Sequence, residues 1–160
     1  MTVDPAQWAA VGPTDQDLGF DLYTIRELVE VNRDAQRAFE ESADELEDIH
    51  LADTFRRLAA ERASFASELI SAYPGTDLVG EEGSILGAIR RAWMRVKNAL
   101  TTGDHAILAA AEAGEDHAVK AYQRALEKNL PERFASIVRR QYPKIKAGHD
   151  TVRELRDARS

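Results

Sequence analysis

Apolar positions recur along this chain at intervals of three and four, the period of a helix that buries one face. The first series is Leu18, Leu22, Ile25, Val29, Asn32, Gln36, Phe39, Ala43 and Leu46, with two amides among the apolar members. It predicts a helix over about 15–47, with Thr14 or Asp15 as N-cap. A second series, Leu51, Phe55, Leu58, Arg62, Phe65, Leu69 and Tyr73, predicts a helix over about 50–73 that ends before Pro74-Gly75. Residues 74–83 read as a loop, after which Ser84 caps a shorter helix carrying Ile85, Ile89, Trp93, Val96 and Leu100. Gly103-Asp104 breaks the chain and restarts it into a helix with Ile107, Ala111, Glu115, Ala118, Tyr122 and Ala125 on one face. Pro131 opens the last helix as a first-turn residue, and its stripe is Phe134, Ile137, Val138, Gln141, Ile145, His149, Val152 and Leu155. Residues 1–14 hold two prolines and no period, so they read as an N-terminal tail, and 15–160 as one domain.

The expected fold class is therefore all-α, four long helices and one shorter one. No segment alternates like a strand, and no repeat or Gly-rich phosphate loop is evident. The short helix would span roughly 27 Å at about 1.5 Å per residue, enough to carry the chain from one end of a bundle back to the other. The second and third long helices would then run parallel, the one-crossover topology of ferritin-like bundles.

Composition narrows the chemistry. There is no cysteine, which excludes a disulfide scaffold, a thiolate zinc site and a cysteine nucleophile. The net charge is −7, so electrostatics favour neither nucleic acid nor an anionic membrane as partner. No apolar run approaches the roughly 20 residues of a membrane span, and the first residues lack a secretory apolar core. The charge is uneven. Residues 1–80 hold 17 acids and 6 bases, and residues 81–160 hold 11 acids and 15 bases. The acids concentrate at Glu40, Glu41, Asp44, Glu45, Glu47 and Asp48; the bases at Arg90, Arg91, Arg95, Lys97 and at Arg139, Arg140, Lys144, Lys146. One reading has these opposite charges meeting inside one bundle. The other has complementary acidic and basic helix faces pairing copies into a homo-oligomer.

Several strings together resemble a bacterial ferritin-like family of four-helix-bundle proteins, catalogued as a domain of unknown function. They are Leu58-Ala-Ala-Glu-Arg-Ala-Ser-Phe-Ala-Ser-Glu-Leu69, Gly87-Ala-Ile-Arg-Arg-Ala-Trp93, Gly114-Glu-Asp116 followed by Ala121-Tyr122, and Gln141 with His149-Asp150 and Leu155-Arg-Asp157. The likeness covers about residues 20–157, and Arg90 stands where that family's pattern has His. The resemblance implies a ferritin-like fold in a bacterial cytoplasm, often in a stress-response setting. It implies no established reaction.

Ferritin-like enzymes hold two metals with carboxylates and histidines, including Glu-x-x-His pairs whose members share a helix face. No Glu-x-x-His falls within a predicted helix, the string Glu47-Asp-Ile-His50 lying across the break between the first two; Glu112-Ala-Gly-Glu115 has the spacing with the wrong final residue. Asp116 and His117 are adjacent and diverge by about 100°. At 100° per residue, Asn32, Gln36, Arg62, Glu115, Gln141 and His149 fall inward, and Glu40, Glu61 and Glu112 fall at or beyond the stripe margins. Asp34, Asp116 and His117 fall outward. Equal heights along the helices predict one mid-bundle polar layer of Asn32, Gln36, Arg62, Glu115, Gln141 and His149. Its centre would be an Arg62–Glu115 pair, because a di-metal site needs several anionic oxygens and a guanidinium repels cations. A metal variant would recruit Glu115 and His149 first, then Glu61, Glu40 or Glu112, for iron or manganese. Tyr122 and Tyr142 read as packing residues, His50 and His105 as solvated, and Pro143 as a kink in the last helix. Two functions stay open: a non-catalytic bundle with a structural polar layer, and a metal-binding protein or metal-dependent oxidase with a degenerate ferritin-like site.

Overall fold

The computed structural model describes residues 22–73, Met94 and residues 103–159. Within them lie four helices and no strand: α1 (Leu22–Glu45), α2 (Ile49–Ser71), α3 (Asp104–Leu126) and α4 (Glu132–Asp157). The tail expected at 1–14 and the short helix expected after Ser84 lie outside the described residues. None of the described helices is long and apolar enough to cross a membrane.

Local chemistry sets the helix starts. The Asp48 carboxylate caps α2 by accepting from the backbone N–H groups of His50 and Leu51. These bonds and the Arg159 guanidinium hold its carboxyl below the usual carboxylate range. The Asp104 carboxylate accepts from the N–H groups of Glu47 and Asp48, at 2.9 and 3.0 Å, so the starts of α2 and α3 share one end of the bundle. Gly103 precedes α3 with φ of 97°, a left-handed conformation that glycine adopts without a Cβ clash. Pro131 caps α4 rather than opening it, one position earlier than its sequence role suggests. Helix α4 then runs unbroken to Asp157 with Pro143 on its exposed side.

Helix α1 packs against α2 and α3, and α4 packs against α3 and α2. Hence α2 and α3 are diagonal neighbours across the bundle, as are α1 and α4. Since α2 and α3 begin at the same end, they run parallel, and the end of α2 is a full helix length from the start of α3.

The sequence stripes form the core. Ile25, Val29, Phe39, Phe55, Leu69, Tyr122, Phe134, Val138, Ile145 and Val152 are all fully buried. Phe39 and Phe55 meet edge to face with centroids 5.0 Å apart. Helix α1 departs from the one-stripe picture. It buries a second stripe, Thr24, Leu28, Val31, Ala35, Ala38 and Ser42. Asp34, expected to face outward, is only 7% exposed for the same reason. A single-face wheel misplaces any residue on a helix buried on two sides.

Opposite charges do meet between the hairpins. Arg124 pairs with Glu27, Arg140 with Glu68, and Arg159 with Asp48, each base from the α3–α4 half and each acid from the α1–α2 half. Their exposed guanidinium groups limit each to a small contribution.

Candidate functional site

The bundle's centre holds an ion pair joining its diagonal helices. Arg62 of α2 and Glu115 of α3 both have no solvent exposure. The two guanidinium Nη atoms donate to the two carboxylate oxygens, Nη1 to Oε1 at 3.1 Å and Nη2 to Oε2 at 2.5 Å. This is the bidentate fork geometry that arginine favours. Burial pushes the Glu115 carboxyl up, and the Arg62 guanidinium on both its oxygens pulls against that. The guanidinium carbon also lies 6.0 Å from the centre of the Phe39 ring. Arg62 Nε has no hydrogen-bond partner among the described residues.

Gly148 of α4 makes room for this pair. A Cβ there would lie 2.7 Å from Arg62 Nη2 and 3.5 Å from Glu115 Oε2. Glycine inside a helix costs roughly 1 kcal/mol relative to alanine, so a helical glycine calls for a packing reason. Here the reason is a buried guanidinium pressed against the α4 backbone.

A second group of polar side chains joins all four helices. Asn32 Nδ2 of α1 donates to the Leu28 carbonyl at 2.8 Å and to the Tyr122 hydroxyl of α3 at 2.7 Å. Tyr122 Oη donates to Gln141 Oε1 of α4 at 2.7 Å. Gln141 Nε2 donates to the Phe65 carbonyl of α2 at 3.3 Å and to Glu68 Oε1 at 2.8 Å. Glu68 in turn accepts from Arg140 at the surface, which holds its carboxyl below its ordinary value. Burial pushes the Tyr122 phenol well up, so it serves as a neutral donor and acceptor.

The polar interior therefore has two tiers rather than one layer. Tyr122 is seven residues along α3 from Glu115, and Gln141 seven before Gly148 on α4. That is two turns, or about 10 Å, in each case. Arg62, Glu115, Asn32 and Gln141 are buried. Gln36 is not: it is half-buried and donates to the exposed Glu40. The Gln36 position falls on the predicted stripe, between Ala43 and Val29 by angle, but its side chain turns out of the core to reach Glu40 on the next turn. His149 is 12% exposed and sits at the rim. Its Nε2 lies 2.7 Å from Asp116 Oδ1, off the hydrogen-bonding direction, and its Nδ1 3.2 Å from Asp150 Oδ1. Asp116 thus turns toward α4 rather than away from it. Tyr122, read from sequence as a packing residue, is the hinge of the chain of bonds. Gly148 carried a signal too, as a glycine interrupting a helical stripe seven residues after Gln141; Glu68 carried none, since six residues from Arg62 it lies about 120° around the helix.

The residues do not fit a ferritin-like di-metal centre. Both Glu115 oxygens are taken by Arg62. Glu112 pairs with Arg156, Glu40 is at the surface, and Glu61 makes no hydrogen bond to the pair. Among the described residues no three His, Asp or Glu side chains converge in a way that could hold a metal ion.

Residues 22–128 match the model of a family described as a domain of unknown function, DUF2383. The chain belongs to this family. No curated protein matches it. The DUF2383 match spans α1, α2 and α3, and so includes Asn32, Arg62, Glu68, Glu115 and Tyr122. Gln141, Gly148 and His149, on α4, lie beyond it.

Tyr122→Phe tests the four-helix chain of bonds. Among the described residues, it strips Gln141 Oε1 of its only hydrogen bond and Asn32 of one of two. The expected loss is about 1–2 kcal/mol, read as a lower urea midpoint at unchanged slope. A Tyr122→Phe protein as stable as the parent would remove the hydroxyl's structural role.

Proposed function

We propose that this DUF2383 protein is a ferritin-like four-helix bundle without a catalytic centre. Its interior polar groups are structural, and it works through its outer surface as a self-associating or partner-binding protein. The resemblance of its sequence strings to a bacterial ferritin-like family supports a cytoplasmic, stress-related setting. The observation that carries the reading is the bidentate Arg62–Glu115 pair at zero exposure. The central carboxylate of a metal-binding bundle would face cations; here it is spent on a guanidinium that keeps its proton at ordinary pH and repels them.

Metal analysis tests this. Protein produced with iron, manganese and zinc supplied, and purified without chelator, is expected to carry far less than one metal per chain. Near-stoichiometric metal that disappears in Glu115→Gln would overturn the proposal.

A further inference from the structure

Ion pairs between the hairpins leave two groups of charge unspent. At the end of α1 and the turn after it, Glu40, Glu41, Glu45 and Glu47 are exposed and make no ion pair among the described residues. Ile49, 68% exposed, stands beside them. On α4, Lys144 and Lys146 are exposed and likewise form no ion pair there, next to the exposed Arg139 and Arg140. The basic stripe covers seven residue steps, about 10 Å of α4, and the acidic one runs from the last turns of α1 into the turn after it. The two cannot neutralise one another within a single chain, because α1 and α4 are diagonal in the bundle and their outer faces point apart.

Resting on the self-associating reading above, we propose that the acidic end of α1 in one copy docks on the basic face of α4 in a second copy. The complementarity lies between two different surfaces of the same chain, so the contact is heterologous. Each copy keeps one acidic and one basic face free for the next, and association is head to tail and grows with concentration. Opposed charge stripes of this kind steer encounter and fix register, and they weaken as salt screens them.

Light scattering coupled to size exclusion, on the full chain over a concentration series, tests the idea. At low salt the mass should rise above the 17.8 kDa of one chain. In about 1 M salt, where screening falls to roughly 3 Å, it should return to that of one chain. One variant, Glu41→Gln with Glu45→Gln and Glu47→Gln, neutralises the acidic face; another, Lys144→Gln with Lys146→Gln, neutralises the basic face. All five positions are exposed, so both variants should fold with unchanged helical circular dichroism. Each alone should remain a single chain. Mixed, they should form a two-chain complex and grow no further, since each contributes one native face. A parent that stays a single chain at low salt overturns the proposal. So does an oligomer insensitive to salt, or one that either variant still forms alone.

Discussion

Glu115→Ala lowers the unfolding free energy by about 3–5 kcal/mol, a large share of the 5–15 kcal/mol typical of a domain. The reason is not the lost attraction alone. The substitution leaves the Arg62 guanidinium at zero exposure with neither of its two carboxylate bonds, while Nε already lacks a partner among the described residues. An uncompensated charge in the centre of a bundle must draw in water or unfold its surroundings. Arg62→Ala should cost a similar amount, since it strands the carboxylate and opens a cavity among Phe39, Leu58 and Gly148. The decisive comparison is the double replacement Arg62→Met with Glu115→Leu. A buried pair exchanged for apolar side chains of similar volume is often neutral or better, because the desolvation of both charges is no longer needed. The double variant should therefore recover most of what either single one loses. Urea unfolding of the four proteins gives the coupling directly. Additive losses would show that the two residues act independently, and would remove the pair as the centre of the interior.

The helices and the inward side of most of them were legible in the sequence, because a three-and-four period over twenty or more residues leaves few alternatives. Stripe positions such as Leu22, Phe39, Phe55, Leu69, Ala118 and Val152 are buried as the period requires. The Arg62–Glu115 contact was reachable by counting residues from each helix start, given parallel α2 and α3. Three things were not reachable by a single-face wheel. Gln36 lies on the first stripe of α1, but its long side chain leaves the core for Glu40, which a wheel of backbone directions does not register. Asp34 is buried at the edge of the second stripe of α1, one turn before Ala38. His149 and Asp116 meet at the α3–α4 seam, where residues at the edge of two stripes face each other although each looks outward on its own helix. Hydrogen-bond direction was also invisible: nothing in the spacing distinguishes a packed tyrosine from one whose hydroxyl links Asn32 to Gln141.

Gly148→Ala should destabilise the parent by about 2–3 kcal/mol even though alanine is the better helix former. A Cβ at this position would stand 2.7 Å from Arg62 Nη2. A flexible side-chain end can usually swing aside from such a clash. This one cannot do so freely, because the same nitrogen donates to Glu115 at 2.5 Å and no solvent lies within reach. Either the guanidinium shifts and the bidentate geometry is lost, or α4 moves outward and loosens the packing of Val138, Ile145 and Val152. The sign reverses once the ion pair is removed. In the Arg62→Met, Glu115→Leu background the atom that clashes is gone, and the intrinsic preference for alanine in a helix remains. There Gly148→Ala should be neutral or should stabilise by up to about 1 kcal/mol. A cost that persists undiminished in that background would mean that something other than the ion pair holds α4 close. A cost that vanishes ties the glycine to the buried arginine, and makes the three residues one structural unit spanning α2, α3 and α4.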